Sequence, residues 1–151
     1  MIDRANIEEF KTNLCGQLIQ PGDEDYDEAC KIYNAMIERR PAMIARCADV
    51  ADVMAAVNFA REHDVLVAIR GGGHNGPGLG TCDDGLVIDM SAIKYTRVDP
   101  QASTVQVGGG CTWGDVDHAT HAFGLATPSG IVSTTGVGGL TLGGGHGYLT
   151  C

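Results

Sequence analysis

With 151 residues, the chain is long enough for one domain with a real core, and 44% hydrophobic against 19% charged residues excludes a disordered tail. Ten basic against 19 acidic residues leave a net charge of −9 with no run of Lys or Arg, which excludes an electrostatic footprint for nucleic acid or an anionic membrane and favours a small-molecule partner. The polar start Met1-Ile2-Asp3-Arg4 lacks the apolar core of a secretory signal, and no apolar run approaches the roughly 20 residues of a spanning helix, so a cytoplasmic location is expected.

Along the chain, Ile7, Phe10, Leu14 and Leu18 fall at helical spacing. Ala29, Ile32, Tyr33, Met36 and Ile37 form a second stripe behind the acidic stretch from Asp23 to Asp27, so residues 1–39 are expected to be an N-terminal helical segment of two helices. Pro41 breaks that pattern. Met43 to Cys47 reads as a strand, Asp49 as the N-cap of a helix with Val50, Val53, Met54 and Val57 on one face, and Val65 to Ile69 as a buried strand parallel to the first. Leu86 to Met90 and Thr104 to Val107 are further strands. Thr112 caps a last helix on which Trp113, Val116, Thr120 and Phe123 share a face, with Asp115 near its N-terminus and Gly124 at its end. Beyond Gly124 the sequence reads as loop.

Glycine is the compositional outlier, with 22 residues crowded mainly into 71–80, 108–114 and 124–147, and these clusters are expected to be separate loops around one site. The first, Arg70-Gly71-Gly72-Gly73-His74-Asn75, follows a strand and sets one imidazole among backbone N–H groups able to converge on a pyrophosphate. Gly71, Gly73 and Gly76 formally satisfy the Rossmann spacing, with Asp89 near the position of a ribose ligand. Pro77 and the non-periodic residues after it argue against the helix which that site requires. No Lys-Ser or Lys-Thr pair follows a glycine cluster, which excludes a Walker A loop.

His118 and His121 are three apart on a helix without a carboxylate-rich partner motif, and His63 reads as a helix-end cation, so no metal site is expected. His146, in Gly143-Gly144-Gly145-His146-Gly147, has the same glycine setting as His74. Either packing beside a ligand or a place at a cofactor edge fits it. Cys15, Cys30, Cys47, Cys82, Cys111 and Cys151 are scattered without a C-x-x-C pair, which fits thiols of a reducing compartment, the first three as packing residues.

Three blocks in this order, VAIRGGGHNGPG (67–78), LVIDMSAIKYTRVDP with VQVGGGCTWGDV (86–116), and GLATPSGIVSTTGVGGLTLGGGHGYLT (124–150), resemble the FAD-binding PCMH-type domain of the vanillyl-alcohol oxidase and berberine bridge enzyme-like flavoproteins. The resemblance implies that His74 is bonded through its imidazole to the 8α-methyl carbon of FAD. That is chemically reasonable, since a neutral imidazole is a nucleophile near physiological pH. It further implies a cofactor site of Gly71, Gly72, Gly73, Asn75 and Gly78 in one loop, and Pro128, Thr134, Thr135, Gly136, Gly138, Gly139 and Thr141 in a second. Some relatives attach flavin a second time through a cysteine in that second loop; Val132 lies about where it would stand, so a single covalent link is expected.

The fold expected from the resemblance is α+β, an FAD-binding PCMH-type domain over residues 40–151 with two α+β subdomains, the second incomplete. The function it implies is a flavin-dependent oxidoreductase passing hydride from an alcohol, sugar or amine to FAD, with oxygen or another electron acceptor restoring the cofactor. Relatives continue past the last block into a substrate domain that supplies the catalytic base. The chain is therefore expected to be the N-terminal portion of a longer enzyme, catalytically incompetent alone and prone to self-association through uncovered sheet edges. The rival expectations are a non-catalytic flavin-binding or interaction fragment and a Rossmann-type NAD protein.

Overall fold

The computed structural model describes residues 3–149; Met1, Ile2, Thr150 and Cys151, the last two closing the third block and the expected domain, lie outside the described residues. Helix α1 (Arg4–Asn13) is capped by Asp3, whose carboxylate accepts the Ala5 N–H, and it buries Phe10 in a stack on Phe59 with ring centroids 4.3 Å apart. The second expected helix is corrected. After strand β1 (Gln17–Ile19), helix α2 (Tyr26–Ala29) makes a single turn, and the apolar stripe from Ile32 to Ile37 is irregular chain. A short helix gains little from its own hydrogen bonds, and this segment instead bonds to a distant loop.

Strands β2 (Met43–Arg46), β3 (Val67–Arg70) and β4 (Leu86–Asp89) join β1 in a sheet of order β1-β2-β4-β3, with β1 antiparallel to β2 and the remaining pairs parallel. The strand-helix-strand crossover is present and its strands are parallel, yet β4 lies between them. Every residue of β4 is buried, whereas β3 is an edge strand with Ile69 65% exposed, not the buried strand expected. A central strand covered on both faces takes the continuous apolar run.

Side-chain alternation divides the core between the two faces of the sheet. Met43, Ala45, Leu86 and Ile88 meet Phe10 and Phe59 on one face; Ile44 and Val87 meet Ile19, Tyr26 and Ala29 on the other. Helix α3 (Val50–Glu62) covers the first face with Ala56, Phe59 and Ala60. The expected stripe is corrected here too, because Val50, Met54 and Val57 are exposed and only Val53 packs inward. Asp49 caps the helix by accepting the Asp52 N–H at 3.0 Å.

Asp52, in the first turn of α3, is a structural anchor. Its buried carboxylate accepts the N–H groups of Cys15, Gly16 and Ala48 at 2.8, 2.9 and 2.8 Å, tying the chain between α1 and β1 to the start of α3. Burial pushes this carboxyl up, but the N–H groups of Ala48, Cys15 and Gly16 outweigh burial and hold it below the usual range.

The remaining chain is a hairpin of β5 (Thr96–Asp99) and β6 (Thr104–Val107), helix α4 (Trp113–His121) and helix α5 (Val137–Gly143). Neither β5 nor α5 is evident from sequence periodicity. The Thr112 N–H donates to Asp115 Oδ2 at 2.7 Å, and α4 buries Trp113, Val116 and Thr120, while Phe123 lies beyond the helix and is exposed. The fold is thus mixed α+β.

Candidate functional site

In a parallel sheet, ligands gather beyond the carboxyl ends of the strands, where loops diverge and backbone groups are unpaired. Here that end is braced from beneath. Buried Arg70, the last residue of β3, donates to Asp89 Oδ2 of β4 at 2.9 Å and to the Ala29 carbonyl at 2.7 Å, while Asp89 also accepts the Ser91 N–H. Burial pushes the Asp89 carboxyl up, and the Arg70 charge and Ser91 N–H outweigh it to hold it low. Asp89 is therefore occupied as a core ion-pair member rather than a ribose ligand, and no helix follows the first glycine cluster, against the Rossmann alternative.

The three glycine clusters converge above this brace. A Cβ on Gly72 would run into the backbone of Gly136, and a Cβ on Gly136 into that of Gly72, so the two loops touch main chain to main chain. Gly71 and Gly138 both face the Gly109 carbonyl, at 3.3 Å from where a Cβ would stand. The second loop is docked by its backbone: Trp113 N–H donates to Thr135 O at 3.0 Å, Gly114 N–H to Ser133 O at 2.8 Å, and Val137 N–H to Cys111 O at 2.9 Å.

His74 lies on this seam. Its Nε2 is 3.0 Å from Thr134 Oγ1 and its Nδ1 is 3.4 Å from Thr135 Oγ1, while its ring stacks on Tyr33 at 4.0 Å. Gly73, with φ of +70°, turns the chain into the His74 position, a conformation that glycine adopts without the strain of a side chain. The stacking partner was not evident in the sequence, where Tyr33 counted only as one position of a helical stripe.

Beside the seam is a cleft of about 460 Å³, lined by Gly71, Gly72, Gly73, His74 and Asn75 from the first loop and by Thr135, Gly136 and Gly139 from the second. Arg70, Gly76, Gly80, Gly143 and Gly144, which belong to the glycine loops expected around one site, also line it, and sequence reading missed the apolar Ile69, Leu79 and Leu140 on its wall, which carry no polar signal. Gly78, Pro128, Gly138 and Thr141 lie off the cleft wall. Gly78 packs on Ile37 at φ +78°, and Thr141 is exposed on α5. Thr134 faces His74 from a neighbouring groove.

The backbone N–H groups of Gly71 to Asn75 donate to no acceptor among the described residues, and at the cleft-lining Gly76, Gly139, Gly143 and Gly144 a Cβ would meet no protein atom within 4 Å. A row of unpaired donors on backbone stripped of side chains suits an anionic ligand that approaches the main chain closely. These residues fit a dinucleotide such as FAD.

Other candidates stand elsewhere. His146 is exposed, His118 and His121 are exposed at the end of α4, and His63 caps α3 against Phe59. Cys30 and Cys47 are packed as expected, but Cys15 is exposed. Burial, with Asp52, Asp89 and Asp49 nearby, pushes the Cys47 thiol up to about 12, which leaves it inert as a nucleophile. Among the described residues no helix is long and apolar enough to cross a membrane.

An α+β scaffold with paired glycine loops around a cleft defines a dinucleotide-binding class, and comparison with known proteins narrows it. Residues 41–151 match the FAD binding domain, and the chain belongs to that family. It is 41% identical over 145 residues to an FAD-linked oxidoreductase of Dictyostelium discoideum, an alignment covering 95% of this chain and 32% of that protein. The crystal structure of 6-hydroxy-D-nicotine oxidase from Arthrobacter nicotinovorans superposes with a TM-score of 0.88 at 35% identity, over 91% of this chain and 30% of the other. The berberine bridge enzyme-like protein 1 of Physcomitrella patens gives 0.86 at 31% identity, over 94% and 31%. The chain spans about a third of the length of these relatives.

Proposed function

We propose that this chain forms the FAD-binding region of a flavin-dependent oxidoreductase acting on a small alcohol, sugar or amine, with His74 as the residue covalently bonded to the 8α-methyl carbon of the flavin. The observation that carries the reading is the placement of His74 on the seam of the glycine loops, with a threonine hydroxyl at each ring nitrogen. The relatives named as oxidoreductases, one of them a 6-hydroxynicotine oxidase, support the reaction class.

The unpaired N–H groups of residues 71–75 would hold the diphosphate, and Thr135, Gly136 and Gly139 would form the opposite wall. Bound there, FAD supplies the hydride-accepting chemistry, with oxygen or a second carrier as the final acceptor. What the chain contributes is binding and orientation. Close approach of Gly72 to Gly136 keeps the two walls at fixed separation, and the Arg70–Asp89 pair holds the ends of β3 and β4 rigid beneath them. Domain division follows the same reading, with residues 40–151 as the FAD-binding domain and residues 1–39 packed on it through β1. The exposed β3 edge, with Val67 and Ile69 on it, supports self-association, which size exclusion would test; a monomer at all concentrations would refute it.

The deciding experiment is an absorbance spectrum of the protein with FAD, followed by acid precipitation, with His74→Ala in parallel. Flavin retained in the wild-type pellet and absent from the variant's is the expected result. Flavin that leaves with the supernatant would reduce the reading to non-covalent binding, and a colourless protein would overturn the cofactor assignment.

A further inference from the structure

The segment from Ile32 to Arg39 precedes the residues that match the FAD-binding family, yet it runs along the loop that carries His74. Tyr33 N–H donates to Gly73 O at 3.2 Å, and Asn34 Nδ2 donates to Gly76 O at 2.9 Å. Those two acceptors bracket His74-Asn75. A third tie, from Arg39 Nη1 to Thr81 O at 2.9 Å, secures the far end of the loop.

Glycines flank the histidine on the N-terminal side and follow Asn75, so its own loop offers the imidazole almost no side chain to pack against. Such a ring would otherwise rotate about both its χ angles. Tyr33 supplies the missing surface, its ring 4.0 Å from the imidazole and inclined by 18°. Tyr33 is itself 67% exposed, so burial of an aromatic residue in the core does not account for its position. The threonine hydroxyls meet the ring at its edge, one at each nitrogen, whereas the Tyr33 ring covers its face.

We propose that Tyr33 is a positioning residue for His74: its aromatic face fixes the plane of the imidazole, the Tyr33-Asn34 backbone strap fixes the loop beneath it, and Thr134 and Thr135 hold the ring's nitrogens. The functional consequence rests on the reading of His74 as the flavin-attachment residue. A nucleophile held in one orientation reacts from a larger fraction of its encounters, so Tyr33 raises the rate of attachment without touching the cleft in which the cofactor's affinity resides.

Two measurements on wild type, Tyr33→Phe and Tyr33→Leu test this. Without added FAD, the His74 ring protons observed by NMR should be shifted upfield by the stacked ring in wild type and Tyr33→Phe, and should lose that shift in Tyr33→Leu. With FAD, acid-stable flavin should accumulate about tenfold more slowly in Tyr33→Leu, and within about twofold of wild type in Tyr33→Phe, at unchanged total flavin binding. Wild-type ring shifts in Tyr33→Leu, or a wild-type attachment rate in that variant, would overturn the proposal. Acid-stable flavin persisting in His74→Ala would instead sink the attachment reading, and the ring shifts would still decide whether Tyr33 orients the imidazole.

Discussion

The four-stranded sheet and the chain from His121 to Leu149 are built on opposite principles. In the sheet, β2 and β4 are almost wholly buried and their polar neighbours Asp52, Arg70 and Asp89 are each satisfied by several partners. Among the described residues from 121 to 149, Gly136 is the single buried one, and α5 buries none of its residues. The first region carries the stability of the molecule, and the second carries geometry, held by backbone hydrogen bonds to α4 and by contact with Gly72. The candidate site lies where the two meet, so its walls can differ in rigidity while their separation stays set by glycine.

This contrast predicts effects that fall steeply from one region to the other. Arg70→Met should be the most damaging, costing about 3 kcal/mol in chemical denaturation because it removes the buried partner of the Asp89 carboxylate and leaves only the half-buried Arg46, 3.6 Å away, to balance its charge. Pairing it with Asp89→Leu should recover most of that loss; a double variant as unstable as the single would deny that the ion pair is what matters. Next comes the acid limb. Asp52 and Asp89 have folded pKa values below their unfolded ones, so their contribution is complete above the unfolded carboxylate value of about 4 and disappears as pH falls through the folded values. Asp52→Asn should flatten stability against pH in that window, and an unchanged slope would show that Asp52 is not the group responsible.

Gly72→Ala should strike the seam rather than the sheet. The added methyl meets the Gly136 backbone and should cost about 1–3 kcal/mol of loop docking, read as FAD binding about tenfold to a hundredfold weaker. A denaturation midpoint close to wild type alongside that loss would sharpen the division of labour, whereas an equal fall in both would erase it. Leu142→Ser should be the mildest change, within about 0.5 kcal/mol, since Leu142 is 91% exposed. A larger loss in thermal unfolding would mean that α5 packs more tightly than its exposure indicates.

Much of the scaffold was legible, for reasons that are local. Asp49 caps a helix because a short carboxylate reaches an orphan N–H, and β2, β4 and β6 follow from apolar runs or alternation. The glycine clusters marked loops and the three blocks marked the family. The stripe from Ala29 to Ile37 was misleading, because helical spacing there competes with hydrogen bonds to Gly73, Gly76 and Thr81, about 40 residues away. Val50, Met54 and Val57 misled in a similar way: they are periodic, but the periodicity of Ala56, Phe59 and Ala60 faces the sheet.

What the sequence determined by itself was the inventory: two imidazoles set in glycine loops, strands and capped helices in order, and a composition without a basic footprint. Tertiary structure alone decided that β4 enters between β2 and β3, that Gly72 meets Gly136, and that Tyr33 covers His74. Caps, turns and periodicity are interactions between residues a few positions apart and leave their signature in adjacent letters. Sheet order, backbone contact and ring stacking join residues from 19 positions apart (Val67 and Leu86) to 64 (Gly72 and Gly136), and their energy depends on packing that no local pattern encodes.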